Sequence, residues 1–247
     1  MRWIRCIALV VLRSAGCLSV AAPTDRQLYE AYLKGEMDEW VRYIDGVNQE
    51  TSNAKERERV LVYEYGLVPY LWSIGDTAAC RKANKRYKRH IARAEGWLKE
   101  ADYLAHSSAS AIYSFLLKED GLSGAMDGMR YSKAALQADS VSPLALYMRG
   151  NVYFHYPRIA GGNKKKALAC YQRAEKIMEN DTSYRYHWMY AAVQLVVAQC
   201  YDKTGEKEKA IEQCRKILRL HPQFSYVKMY LPTLSEREKN GWQRLTD

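Results

Sequence analysis

Five histidines, His90, His106, His155, His187 and His221, and six cysteines are the side chains best able to ligate a metal or act as nucleophiles. No two of the histidines stand at a metal-ligand spacing, and no Cys-x-x-Cys pair occurs, so neither zinc nor thioredoxin-like chemistry is indicated. No Ser/His/Asp or paired-carboxylate arrangement and no P-loop string is recognisable. The sequence therefore predicts no catalytic, metal or cofactor site. What remains is the chemistry of anions and of apolar contact. In the turn Gly161-Gly162-Asn163-Lys164, Asn163 is placed to cap a helix whose first residues are three lysines. Lysines are the wrong charge for the positive end of a helix dipole, and an anion held by free N–H groups would relieve that conflict. Three solvated lysines are the competing reading, since each such contact costs only tenths of a kcal/mol. Between residues 81 and 99 stand eight lysines and arginines against one carboxylate, Glu95. That stretch suits an acidic partner or anionic lipid, or is simply a solvated face.

Composition limits the alternatives. The chain has 247 residues, 48% apolar and 27% charged, enough to bury a substantial core. Six prolines and fourteen glycines leave long stretches free for helices. Twenty tyrosines suit helix seams and ligand grooves alike, because each joins a large apolar body to one polar tip. Residues 1–22 read as a signal peptide: Arg2 and Arg5, a short apolar core from Cys6 to Leu12, and Val20-Ala21-Ala22 as cleavage site. The expected location is the periplasm or the exterior, which argues against a nucleic-acid partner. Arg13 interrupts the apolar run and excludes a transmembrane span there. Ser14-Ala15-Gly16-Cys17 offers lipid anchoring at Cys17 as a minor alternative. Cys80, Cys170, Cys200 and Cys214 would remain after cleavage, either as small buried thiols or, in an oxidising compartment, with Cys170 meeting Cys200.

The elements that must position these residues follow from periodicity. Thr24-Asp25-Arg26-Gln27 is a capping box, and the hairpin after it turns near Gly35. Residues 48–54 read as a loop. A helix from about Lys55 towards Gly75 should be kinked or split by Pro69. A long helix from Thr77 carries Ala79, Ala83, Tyr87, Ile91, Ala94, Leu98 and Ala101 on one stripe. A further hairpin is expected to turn at Gly121 to Gly124, and Ser142-Pro143 opens the next helix. A last helix is expected from Ser225 to about Lys239, with Glu236 to Lys239 supplying a polar cap.

Two stretches resemble tetratricopeptide repeats (TPRs). In the first, from about Leu144 to Asn180, Gly150, Tyr153, Ala167, Tyr171 and Ala174 fall on the family's marker positions, with the HYPRIAGGN turn longer than usual. In the second, from Ala191 to Phe224, the markers are Ala198, Tyr201, Gly205, Ala210, Cys214, Ile217 and Pro222. As a whole the chain resembles uncharacterised exported TPR proteins of bacterial envelopes. The resemblance implies an all-α, right-handed α-solenoid of about five helix hairpins. Degenerate hairpins would fill 23–140, two recognisable repeats 141–224, and a capping helix with a tail 225–247. The family's first helices line a concave groove, here carrying Tyr147, Asn151, Phe154 and His155, then Gln199, Asp202 and Lys203. Tyr147 stands where the family's carboxylate clamp has Lys, so a chaperone tail is not the expected ligand. The implied function is a non-catalytic protein- or peptide-binding scaffold. The alternative is a small-ligand-binding accessory subunit of an envelope transport system; an open groove would favour the first and a closed cavity the second.

Overall fold

The computed structural model describes residues 22–234, so the expected signal peptide, Cys17 and the Glu236 to Lys239 cap lie outside the described residues. Among the described residues every regular element is a helix. None of these helices is long and apolar enough to cross a membrane.

Helix α1 (Asp25–Lys34) starts at the expected capping box: Gln27 N–H donates to Thr24 Oγ1, and Thr24 N–H donates to Gln27 Oε1 at 2.8 Å. It stops at Gly35, whose φ of 80° suits a residue without Cβ. Helices α2 (Asp38–Gly46) and α3 (Ala54–Ser73) follow, the latter capped by Asn53. Pro69 does not split α3 as expected. It lies in the last turns, where one missing N–H removes a single backbone bond near an end that is already under-bonded.

The expected long helix from Thr77 is two. Helix α4 (Thr77–Ala92) ends with Arg93 as its C-cap, Gly96 turns the chain with φ 85°, and α5 (Glu100–Leu116) begins afresh. Lys99 therefore belongs to the entry of α5, not to the basic helix. The expected turn at Gly121 to Gly124 also shifts, because α6 spans Gly121–Ala138 and Gly124 lies inside it. A Cβ on Gly124 would come within 3.2 Å of the Ala111 carbonyl and the Phe115 nitrogen. Its small size therefore serves the close approach of α5 and α6.

Helix α7 (Pro143–His155) is capped by Ser142, and a single 3-10 turn (Arg158–Ala160) leads into α8 (Lys164–Glu179). Gly150 lets these two helices touch, since a Cβ there would stand 2.3 Å from Tyr171 Cε1. Helices α9 (Trp188–Lys203) and α10 (Lys207–Leu220) turn at Gly205, with Ala198, Ala210, Cys214 and Ile217 fully buried. The chain is helical again over 225–234. Consecutive helices pack on one another in five pairs, and each pair packs on the next.

One set of contacts departs from a simple row of hairpins, in which each unit touches only its neighbours. Helix α1 packs on α9. Tyr29 Oη donates to His221 Nδ1 at 2.7 Å, and His221 Nε2 faces Gln194 Oε1 at 3.1 Å. The two partners fix the tautomer, with the proton on Nε2. Ser225 Oγ donates to the Lys34 carbonyl at 3.0 Å, and the Tyr32 ring lies 5.6 Å from that of Phe224. The first pair of helices thus closes against the last.

Candidate functional site: an apolar cleft on the inner face

That closure builds a cleft of about 540 Å³ between α1, α3, α7, α9 and residues 224–229. Trp188 is in its lining, with its ring 5.6 Å from that of Trp40, 5.4 Å from that of Tyr65 and 5.7 Å from that of Tyr32. Gly66 of α3 lines the cleft because nothing larger fits: a Cβ would meet Trp40 Cζ3 at 2.4 Å and Trp188 Cζ2 at 2.9 Å. Ala192, Leu195, Val196 and Gln199 of α9 line it together with Tyr70, Tyr226 and Met229, and Gln199 Nε2 donates to Tyr226 Oη at 3.4 Å. Among the described residues, Lys34 is the single formally charged one in the lining. Burial pushes the Tyr147 hydroxyl up to about 12 and raises that of Tyr32 further, so both stay neutral. The cleft matches the size and polarity of sites for compact apolar groups.

Trp188 is 2% exposed, and its indole N–H has no acceptor among the described residues. Such a donor left unpaired in the interior costs roughly 1–3 kcal/mol.

The groove residues named from the sequence separate into three groups. Tyr147 and Gln199 line the cleft. Asn151 does not reach it as a peptide-binding amide would: its Nδ2 donates to Tyr65 Oη at 3.1 Å, and its Oδ1 accepts from Tyr171 Oη at 2.7 Å. Both ends of the amide are used in the core. Phe154, His155, Asp202 and Lys203 are outside the lining. The Phe154 ring lies 4.1 Å beneath Lys164 Nζ, His155 and Lys203 are exposed, and Asp202 Oδ2 accepts from Tyr230 Oη at 2.9 Å.

At the lysine turn the local geometry already has occupants. Asn163 Oδ1 takes the Lys166 N–H at 3.0 Å, confirming the cap, and Lys164 Nζ donates to the Phe154 carbonyl. Burial lowers the Lys164 pKa, and the Lys203 ammonium adds to that effect. Gly161 has φ 87°, and a Cβ on Gly162 would fall 1.8 Å from the Tyr156 carbonyl oxygen. The two glycines are therefore required by the turn itself, whether or not an anion binds. A shallow depression of about 420 Å³ lies over Arg158, Asn163, Lys164 and Lys165.

Cys80, Cys170, Cys200 and Cys214 are free thiols, so Cys170 and Cys200 are not bonded. Burial raises the pKa of all four, which keeps them protonated and poorly nucleophilic. Among the described residues no group of three His, Cys, Asp or Glu side chains could hold a metal ion.

The residues that sequence reasoning missed are Tyr32, Gly66 and Tyr70 from the N-terminal third, and Trp188, which lies just before the second expected repeat. Their apolar character was visible, but their meeting depends on the closure of α1 onto α9, which no local pattern encodes. Comparison with family models and with curated proteins gives no match to this chain.

Proposed function

We propose that the chain is a non-catalytic, TPR-like α-solenoid of about five hairpins that binds an apolar segment of a partner polypeptide in the inner cleft. It would act as a scaffold in the bacterial cell envelope, delivered there by the export segment. The observation that carries this reading is the cleft: about 540 Å³, walled by aromatic and aliphatic side chains, with one formal charge in its lining. A site of this kind favours one or two bulky apolar side chains and rejects charged ones, because burying an unpaired charge is costly.

The small-ligand reading also has an observation in its favour. The N-terminal hairpin bounds the inner face, which makes the site a cleft and not a groove open along its length. A compact apolar molecule would fit the same walls.

Selection of displayed random peptides on the purified protein separates the two. The expected result is enrichment of peptides with adjacent large apolar residues. Their affinity should fall at least about tenfold, ~1.4 kcal/mol, in Val196→Glu, which puts a carboxylate on the cleft wall at a half-buried position. Peptides that bind parent and variant equally would place the site elsewhere. Failure to enrich any peptide, with a bound apolar dye lost in Val196→Glu, would favour the small ligand.

A further inference from the structure

Helix α4 carries two kinds of cation. Arg81, Arg86 and Lys88 are used inside the fold. Arg81 meets Glu119 at 3.3 Å and the Leu117 carbonyl at 2.8 Å, Arg86 meets Glu64 at 2.8 Å and Asp45 at 2.5 Å, and Lys88 meets Asp120 at 3.2 Å. Lys82, Lys85, Arg89 and Arg93 instead recur every third or fourth residue along a single stripe, exposed to solvent. Among the described residues, none of these four reaches a carboxylate within ion-pairing distance.

The internal ion pairs also fix what lies beside the stripe. Glu119 and Asp120 belong to the α5–α6 corner, so Arg81 and Lys88 hold that corner against the flank of α4. Two and six residues along the chain from Asp120, one turn apart on α6, Leu122 is 79% exposed and Met126 is 71% exposed. Large apolar side chains left in water are costly unless a partner covers them.

We propose that the α4 stripe and the α6 pair, brought together by the corner that Arg81 and Lys88 hold, form one face that docks on an anionic lipid surface, with Lys82, Lys85, Arg89 and Arg93 at the headgroups and Leu122 and Met126 entering the interface. A purely charged partner would use the cations and give the two apolar side chains no role. Cations flanking exposed Leu and Met are the composition of peripheral membrane contacts, in which electrostatic attraction and shallow apolar insertion add. The face shares no residue with the inner cleft, so docking leaves the cleft accessible.

Co-sedimentation with vesicles tests this, comparing phosphatidylcholine alone with phosphatidylcholine containing phosphatidylglycerol. The protein should bind the anionic vesicles and not the neutral ones, with binding weakened by salt. The Lys85→Glu/Arg89→Glu pair should lose at least about tenfold in partitioning, and Leu122→Ser/Met126→Ser about fivefold. All four positions are exposed, so circular dichroism should show both variants folded. No binding to anionic vesicles would overturn the proposal, and so would equal binding to neutral ones. Full retention by the serine pair would also overturn it, because Leu122 and Met126 would then play no part in the contact.

Discussion

Trp188→Ala is expected to lower the unfolding free energy by about 3–5 kcal/mol, the range for deleting a large buried aromatic side chain. Trp188 is the point where α1, α2, α3 and α9 meet through rings, and at 2% exposure its removal leaves a cavity that four helices must relax to fill. Trp188→Phe should behave differently. It keeps most of the apolar contact and removes an indole N–H that has no acceptor among the described residues. Relief of that unpaired donor, roughly 1–3 kcal/mol, offsets the smaller ring, and the net change should stay within about 1 kcal/mol. Urea titration of both variants gives the comparison directly. If Trp188→Ala shifts the midpoint no more than a surface substitution would, about 0.5 kcal/mol, the junction does not form as described. Because the first helix pair closes on the last, a single cooperative transition is expected, in contrast to the piecewise unfolding of an open row of repeats.

The second large effect is acid destabilisation through His106. This side chain is 1% exposed on α5, where its Nδ1 meets Tyr87 Oη at 2.5 Å. Burial alone pushes its pKa down to about 3. In the unfolded chain a histidine titrates near about 6.5. Below that pH the unfolded state therefore binds one more proton than the native state, and stability falls as pH falls. The loss proceeds at about 1.4 kcal/mol per pH unit until the native group itself titrates near about 3, about 5 kcal/mol in all. His187, pushed down to about 4 by burial and pulled partly back by Asp25, acts in the same direction over a narrower window. The measurement is unfolding free energy against pH from neutral to about 4. His106→Gln, which retains a partner for Tyr87, should be less stable than the parent at neutral pH and show a shallower decline. An unchanged slope in the variant would mean that His106 is not the group responsible.

Much of the local fold was legible because local rules decide it. The capping box at Thr24, the Ser142-Pro143 start, the Asn163 cap and the Gly35 and Gly205 turns all lie where side-chain hydrogen bonding or a positive φ requires them. The small residues Gly150, Ala198 and Ala210 were equally readable, since helix pairs touch only where such residues allow it. Two boundaries were misjudged for one reason. The apolar stripe from Ala79 to Ala101 continues in phase across Gly96, so periodicity did not reveal the turn, whereas φ 85° at that glycine does. Gly124 reads as a turn residue in the sequence, yet it serves helix packing, and the sequence alone does not distinguish these uses.

The inner face was only half legible. Tyr147 and Gln199, which the resemblance places on a groove, line the cleft, but nothing in the sequence says that Tyr65 would meet both Tyr147 and Asn151. Nor could it pair Tyr29 with His221, because a hydrogen bond between distant segments leaves no periodic trace. The basic stretch shows the same division. Its charge was evident, while the separation of Arg81, Arg86 and Lys88 from the four outward cations required the positions of Glu64, Glu119 and Asp120.

The most direct test of the cleft as a binding site is the indole N–H region of a proton–nitrogen correlation spectrum during titration with a selected apolar peptide. Loss of one resonance in Trp188→Phe assigns the Trp188 signal, and Trp97 serves as an internal control because its Nε1 is already bonded to the Arg93 carbonyl, remote from the lining. The account predicts that the Trp188 resonance shifts and saturates with the peptide while that of Trp97 stays in place. Saturable binding that leaves Trp188 unmoved would contradict it.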